Sequence, residues 1–339
     1  MDTNKTVMVF IEQNDGRIAD VSLELVCEAS RLAAQLGGTV TAAAIGHGLD
    51  EELQQLGLYG CNTVYYTEDP RLAHFTSVPY AKTLVRTIRE HGPHIVLFGA
   101  TTTGRDVAPR VASDLKCGLT ADCTGLRIGE HRFLDKHYKD VLLQIRPAFG
   151  GNIVATIVSP ESVPSMATVR EGVMRMTPLE EPGLVQVVRE PCELTDADFP
   201  TEVIDVVRVE KRVDLKSARI IVAAGMGASD PESLKLVKQL ARVLGGVVGS
   251  SRPVVDACLL HKDHQVGQTG TTVRPNLYVA CGISGQIQHC AGMSESKRII
   301  AINRDPEAPI FDIAHYGIVG DVREVIPRMI KAYKLRGAL

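Results

Sequence analysis

The sequence contains no Trp, and Phe, Tyr and Trp together make up only 4% of its 339 residues. Such a chain has few side chains for stacking on nucleobases or for enclosing a quaternary ammonium group. It also lacks an excess of either charge, because 37 Lys and Arg face 40 Asp and Glu, for a formal net charge of −3. Since nucleic-acid-binding proteins usually carry a basic excess, we expect no nucleic-acid partner.

Long apolar segments and clustered cysteines are absent as well. No apolar run approaches the roughly 18 residues of a membrane-spanning helix, and the start MDTNKTVMVFIEQ lacks the pattern of a secretory signal. We therefore expect no membrane insertion and a cytoplasmic location. The eight cysteines are scattered and form no C-x-x-C pair. That favours buried thiols in a reducing compartment, and no metal site or iron–sulfur cluster is predicted.

The N-terminal part of the chain alternates short apolar runs with segments of helical periodicity. This alternation predicts strands at Val7–Glu12, Thr39–Ile45, Val64–Thr67 and Ile95–Gly99, and helices at Ser22–Leu36, Asp50–Leu56, Pro79–His91 and Asp106–Leu115. Strand, helix and strand in succession indicate an α/β class with a doubly wound, mostly parallel sheet. Gly99–Asp106 follows one of these strands, and packing, a subunit contact or an anion would explain its small residues.

The pattern changes after Gly118, where short β-like segments are interrupted by Gly and Pro. Leu142–Arg146, Ile153–Ser159 and Ala167–Val173 are interpreted as antiparallel additions to the first domain. Pro178–Pro200, rich in Pro and acidic residues, is interpreted as a connection. A domain boundary near Asp205–Lys216 gives two predicted domains, 1–208 and 209–339.

A second α/β unit follows the boundary. Its predicted strands and helices are Arg219–Ala223, Glu232–Leu244, Leu277–Cys281, Ile299–Asn303 and Val322–Lys334. Asp230 and Pro231 form a typical helix start, with Asp as the N-cap and Pro as the first helical residue.

The loops after these strands contain the residues suited to ligand chemistry. Gly225–Asp230 matches the first two glycines of a dinucleotide fingerprint but lacks the third, so taken alone it favours a plain tight turn over a nucleotide site. Gly249–Pro253 presents Arg252, which suits an anion or an electron-rich ring unless it is simply solvated. Because the carboxyl ends of parallel strands form the ligand crevice of such sheets, the loops together favour a nucleotide-like cofactor.

Two further loops belong to the same crevice. Gln265–Thr271 is rich in Gly, Gln and Thr, and would expose backbone N–H groups and side-chain amides to a flat polar ring. Gly282–His289 enters a predicted helix, whose N-terminus would favour a phosphate. His289 is then either a satisfied helical histidine or a contact to the ligand.

Several longer motifs resemble the α subunit of electron-transfer flavoproteins. They are SSRPVVDA (250–257), VGQTG (266–270), LYVACGISGQIQHCAGM (277–293), AINRDPEAPIF (301–311) and YGIVGD (316–321), together with FGATTTGRDVAPRVA (98–112) and GLTADCTGL (118–126) in the first domain. The resemblance implies a heterodimer with a β subunit, which the first domain would contact. It also implies a flavodoxin-like or sirtuin-like second domain that holds one FAD.

The resemblance also implies the residues of the flavin site. They are Met226, Ser251, Arg252, Val266, Gly267, Gln268, Thr269, Ser284, Gly285, Gln286, Ile287, Gln288, His289, Asn303, Asp321 and Val322. In the family pattern Arg252 faces the flavin ring and favours its anionic reduced forms, as a fixed cation would. His289 would lie near the pyrimidine end and tune the flavin, whereas Asn303 and Asp321 would hold the adenosine part. Met226 and Gln286 depart from the Arg and the small residue that the family often has.

The implied function is the relay of electrons between a dehydrogenase, such as an acyl-CoA dehydrogenase, and a second redox partner. That partner would be ferredoxin or a quinone-linked acceptor, and the β subunit would hold AMP or a second FAD. An electron-bifurcating member, in which NADH reduces the β-subunit flavin, is the alternative that the stretch Thr271–Pro275 favours.

Two other classes fit the residues less well. An NAD-dependent deacylase usually has a four-cysteine zinc module, which the cysteine spacings exclude. A nucleotide-binding module without redox chemistry would not explain why Arg252 and the pair Gln268–Thr269 are present in the ligand loops.

Overall fold

The structure is a computed structural model that describes residues 5–148, 153–181, 183–207 and 213–336. The chain divides into two compact units, and the division falls between Val206 and Val207. No helix in the described ranges is both long and apolar enough to cross a membrane.

The first unit contains twelve strands and four α-helices within the described residues. In chain order these are β1 (Val7–Ile11), β2 (Gln13–Asn14), β3 (Arg17–Ile18), α1 (Asp20–Leu36), β4 (Val40–Gly46), α2 (Asp50–Gln54), β5 (Thr63–Glu68), α3 (Ser77–His91), β6 (Ile95–Gly99), α4 (Thr102–Leu115), β7 (Leu119–Cys123), β8 (Gly125–Phe133), β9 (Lys136–Ala148), β10 (Ile153–Ile157), β11 (Ser165–Val169) and β12 (Gln186–Glu190).

Seven of these strands form one parallel sheet in the order β12-β5-β4-β1-β6-β11-β7. The central strand β1 has the sequence VMVFI and is buried along its whole length, as expected for a parallel strand covered on both faces. Val7, Val9 and Ile11 belong to the core cluster on one face of the sheet, and Met8 and Phe10 to the cluster on the other. The doubly wound, mostly parallel architecture predicted from the sequence is therefore confirmed.

The prediction of antiparallel additions is correct for one part of the chain and wrong for another. Strands β8, β9 and β10 form a separate three-stranded antiparallel sheet. Strand β11, however, runs parallel between β6 and β7. Every residue of β11 is buried, and only a place inside a sheet covered on both faces provides such burial. Strand β12 lies within the predicted connection and adds a parallel edge strand beside β5.

The second unit contains five strands and five α-helices within the described residues. They are β13 (Ile220–Ala224), α5 (Pro231–Leu244), β14 (Val247–Ser250), α6 (Arg252–Asp256), β15 (Leu277–Cys281), α7 (Ile287–Cys290), β16 (Ile299–Asn303), α8 (Ile310–Ile313), β17 (Tyr316–Val319) and α9 (Val322–Arg336). The strands are parallel in the order β14-β13-β15-β16-β17, which is the flavodoxin-like order.

The helix start predicted at Asp230 is present. The Asp230 carboxylate accepts a hydrogen bond from Ser233 N at 3.0 Å, and Pro231 is the first residue of α5. The predicted helix after Gly282, in contrast, is only the four-residue turn α7. So short a helix has too few aligned peptide groups to provide the phosphate-binding dipole expected from the sequence.

Candidate functional site

The loops after β13 and β15 meet at the point where the strand order of the second unit reverses. Their backbones are hydrogen-bonded, because Gly225 N donates to Cys281 O at 2.8 Å and Gly227 N donates to Gly282 O at 3.0 Å. A Cβ atom on Gly282, whose φ is +63°, would lie 2.5 Å from the carbonyl carbon of Gly227. The glycines are thus needed where the two loops approach each other, which is a structural reason for the incomplete dinucleotide fingerprint.

A cavity of about 610 Å³ opens beside this contact, at the carboxyl ends of the strands. Its volume lies within the range of small-molecule and cofactor pockets. Eleven of the sequence-predicted residues line it, namely Met226, Ser251, Arg252, Val266, Gly267, Thr269, Ser284, Gln286, Gln288, His289 and Asn303. The loops predicted to form one crevice therefore converge on one cavity.

Five predicted residues do not line the cavity. Gln268 donates its backbone N–H to Gln288 O at 2.7 Å, and Gly285 packs its backbone against Ile310. Ile287 lies within the turn α7, and Val322 is a core residue that is 3% exposed. Asp321 accepts a hydrogen bond from Arg323 N at 2.8 Å and forms an ion pair with Arg304, so it caps α9.

Sequence reasoning missed eight residues of the cavity wall. They are Gly227, Pro253, Gln265, Gly282, Ile283, Asp305, Ala308 and Pro309. Gly227 lies in the Gly225–Asp230 loop, and the other seven lie in or next to the motifs on which the resemblance rests. Only the folded loops determine which residues of a motif face the cavity, so the sequence offered no signal to separate them from their neighbours.

Arg252 is the cationic side chain of the cavity wall. It begins helix α6, directly after β14, and its side chain is 64% exposed. Its guanidinium pairs with Asp256 one turn later, with Nε 3.3 Å from Oδ2. Exposed ion pairs at this spacing contribute little to stability, so the guanidinium can turn towards a ligand at low cost.

His289 lies deeper in the wall and is 8% exposed. Its Nε2 is 3.0 Å from the hydroxyl of Tyr278, while its Nδ1 is buried without a hydrogen-bond partner among the described residues. Burial lowers the pKa of His289 to about 4, and a weaker interaction with the backbone of Val266 acts in the opposite direction. The imidazole is consequently neutral at physiological pH and leaves one ring nitrogen for a ligand.

Asn303 holds two loops of the cavity together. Its Nδ2 donates to Ile283 O at 2.9 Å, and its Oδ1 accepts from Asp305 N at 3.0 Å. Both ends of the amide are therefore used by the protein backbone. Asn303 supports the wall that it lines, while its second amide N–H and the second lone pair of its oxygen remain for a ligand.

A flavodoxin-like sheet with a cofactor-sized cavity, an exposed cation and a buried unpaired ring nitrogen defines a nucleotide-cofactor-binding domain. The comparisons with known proteins identify the cofactor class. Residues 7–192 match the family described as the electron transfer flavoprotein domain, and residues 214–294 match the electron transfer flavoprotein FAD-binding domain. The chain belongs to the electron transfer flavoprotein family and is of the α-subunit type.

Three relatives illustrate the range of the family. The chain is 46% identical to an electron transfer flavoprotein subunit alpha of Thermoanaerobacterium thermosaccharolyticum, over 98% of this chain and 99% of the relative. It is 43% identical to an acryloyl-CoA reductase electron transfer subunit beta of Anaerotignum propionicum, over 97% of this chain and 96% of the relative. It is 40% identical to the lactate dehydrogenase (NAD(+),ferredoxin) subunit LctC of Acetobacterium woodii, over 96% of this chain and 76% of the relative.

Proposed function

We propose that this chain holds one FAD in the cavity of its second unit and relays electrons as the α subunit of a heterodimer. The observation that carries the proposal is the convergence of Arg252 and His289 on a single cavity, within the part of the chain that matches the FAD-binding domain. The buried, unpaired Nδ1 of His289 fits a ligand with hydrogen-bond acceptors on a flat ring, as FAD has.

Each side chain has a distinct part in holding the cofactor. Arg252 would place positive charge beside the ring and so favour negative charge on it. His289 would donate a hydrogen bond from Nδ1 without adding charge. Gln265 donates to Thr269 Oγ1 at 3.0 Å, which fixes the polar loop that would line the flavin edge. When bound, FAD would supply a ring that can take up two electrons from a donor and release them singly or as a pair.

The partners follow from family membership and from the names of the relatives. We infer a β subunit, which the first unit would contact and which would hold AMP or a second FAD. The electron donor would be an acyl-CoA dehydrogenase or a similar enzyme, and the acceptor ferredoxin or a quinone-linked protein. All eight cysteines are unpaired, which supports a reducing, cytoplasmic setting.

A second candidate function is electron bifurcation. One relative is named as a subunit of a lactate dehydrogenase that uses NAD(+) and ferredoxin, and another as an electron transfer subunit of an acryloyl-CoA reductase. In that case NADH would reduce a flavin of the β subunit, and the electrons would divide between ferredoxin and the FAD of this chain.

One titration separates the two candidates. The heterodimer is purified without air, its flavin content is measured, and NADH is added while the visible absorbance is followed. Two FAD per heterodimer that are both reduced by NADH support bifurcation. One FAD that ignores NADH but is reduced by an acyl-CoA dehydrogenase supports a simple shuttle. A heterodimer that retains no flavin after addition of FAD contradicts both candidates.

A further inference from the structure

Tyr278 lies directly behind His289 and is not itself part of the cavity wall. It belongs to the interior strand β15, and its side chain is completely buried. Its hydroxyl is 3.0 Å from His289 Nε2, whereas His289 lines the cavity. Any influence of Tyr278 on a ligand must therefore pass through the imidazole.

The hydrogen bond between the two side chains allows two proton arrangements. If Nε2 carried the proton, it would donate to the Tyr278 oxygen, and the phenolic hydrogen would need a further acceptor. The part of the chain that the structure describes shows no other hydrogen bond of that hydroxyl. A buried donor that is left unpaired loses the hydrogen bond that water would otherwise provide, so this arrangement is unfavourable. If the phenol donates to Nε2 instead, the hydroxyl is satisfied and the imidazole proton is on Nδ1. The unpaired donor then belongs to His289, the one of the two side chains that lines the cavity and that a ligand can reach.

We propose that Tyr278 is a positioning residue that holds His289 as the neutral Nδ1–H tautomer, so that the imidazole offers the flavin a hydrogen-bond donor and no second cation. For the flavin, this inference rests on the proposed function. The buried Nδ1 without a partner is then a donor that the ligand completes. Positive charge at the ring would come from Arg252.

The electrostatics of the pair agree with this assignment. Burial lowers the pKa of His289 to about 4. Burial also raises the pKa of Tyr278 well above its ordinary range, and the nearby thiols of Cys281 and Cys290 add to that effect. Neither side chain carries charge near neutral pH, so a neutral donor faces a neutral acceptor across the bond.

The test is ¹⁵N NMR of the heterodimer labelled at histidine, between pH 5.5 and 8. His289 is assigned from the signals that are missing in His289→Asn. His264 serves as an internal reference, because its Nδ1 lies 2.7 Å from the carbonyl oxygen of Val248 and must therefore carry a proton. We expect His289 to show a protonated Nδ1 and an unprotonated Nε2 across the whole range. A protonated Nε2, or a charged imidazole at pH 7, overturns the proposal.

Tyr278→Phe removes only the hydroxyl. We expect a mixture of His289 tautomers, an FAD dissociation constant raised about three- to tenfold, and a shifted flavin reduction potential. Tyr66→Phe, which removes the hydroxyl of another fully buried tyrosine in the first unit, should leave all three unchanged. A His289 spectrum that is identical in Tyr278→Phe and wild type overturns the proposal.

The flavin content of each sample distinguishes this proposal from the proposed function. A heterodimer that retains no FAD contradicts the flavin site, while the ¹⁵N spectrum still decides the role of Tyr278. If Tyr278→Phe does not fold, the wild-type spectrum alone confirms or excludes the Nδ1–H tautomer.

Discussion

Glu12 Oε2 accepts a hydrogen bond of 2.6 Å from the Thr101 hydroxyl and so joins the end of β1 to the start of α4. The same hydroxyl accepts a hydrogen bond from Gly104 N at 2.9 Å and caps the helix. Gly99 and Gly104 leave room for the Glu12 carboxyl, because a Cβ atom on either would lie within 3.2 Å of Oε1. Packing around this carboxyl, without any bound anion, is a sufficient reason for the small residues of Gly99–Asp106.

The burial of Glu12 predicts that the stability of the protein depends on pH. Burial raises the pKa of Glu12 from 4.5 to about 7, and the charge of Glu171 adds to the effect. Since the folded state holds the proton more tightly, the stability that protonated Glu12 provides is complete below about pH 4.5 and is lost as the pH rises to about 7 and above. Linkage puts the loss at up to about 3 kcal/mol.

Glu12→Gln should abolish this part of the pH dependence. Urea unfolding at pH 5, 6, 7 and 8 should show wild type losing stability relative to the variant as the pH rises. Glu161→Gln removes an exposed glutamate whose pKa lies below the ordinary range because it bonds to Lys136, so it should unfold with the wild-type pH profile. Parallel profiles for wild type and Glu12→Gln would show that Glu12 is charged in the folded protein.

Arg252→Ala should weaken FAD binding and lower the flavin reduction potential. The reason is the loss of the positive charge that the cavity wall presents to the ring. A charge-assisted hydrogen bond contributes roughly 1.5–3 kcal/mol, which corresponds to a dissociation constant raised about 10- to 100-fold. The measurements are fluorescence titration with FAD and a redox titration of the heterodimer.

Arg242→Ala is the matched control, because Arg242 is an exposed arginine of α5 that does not line the cavity. It should leave both the affinity and the potential unchanged. Arg252→Lys should retain part of the potential shift, since it keeps the charge but loses the planar guanidinium. If Arg252→Ala and Arg242→Ala behave alike, Arg252 does not tune the flavin.

Local patterns in the sequence were sufficient for some elements but not for others. Ile95–Gly99, Leu277–Cys281 and Ile299–Asn303 were predicted with their observed bounds, because each is an apolar run with a clear polar or glycine border. The parallel placement of β11 could not be predicted, since its neighbours β6 and β7 are determined by long-range pairing. No local pattern records which strands will flank a given segment.

The same limit applies to the site. Arg252 and His289 come directly after strands or within a ligand loop, and the structure places both on the cavity wall. Asp321 also follows a strand, yet its carboxylate faces the first turn of α9. In a sequence, an aspartate that caps a helix looks like one that binds a ligand. Tyr278 was missed because an aromatic residue inside a strand is most often only part of the core.

Asp321→Ala should reduce stability without changing FAD affinity. The variant removes the N-cap of α9, a loss that typically costs about 1 kcal/mol, whereas Asp321 lies outside the cavity wall. Asp305→Ala provides the contrast, since Asp305 lines the cavity, and we expect it to change the FAD dissociation constant. Urea unfolding and FAD titration measure the two effects separately. If the FAD affinity of Asp321→Ala falls more than about tenfold, Asp321 contributes to FAD binding after all.

Gly285→Ala should disrupt the loop that carries Ser284 and Gln286 into the cavity wall. Gly285 has a φ of +90°, and a Cβ atom there would lie 2.1 Å from Ile310 N. The neighbouring residues Ser284 and Gln286 line the cavity, so displacement of this loop should also release FAD. We expect a loss of several kcal/mol of stability together with loss of the cofactor.

Gly245→Ala separates backbone strain from crowding. Gly245 ends α5 with a φ of +69°, and its Cβ position has no atom within 4 Å. The variant therefore incurs only the cost of the left-handed conformation, about 1–2 kcal/mol, and should retain FAD. Unfolding by urea and the ratio of flavin to protein absorbance would be measured for both variants. Equal losses of stability in the two variants, with FAD retained in both, would mean that only backbone strain acts at Gly285. The loop around Ser284 could then move away from α8 without disrupting the FAD site.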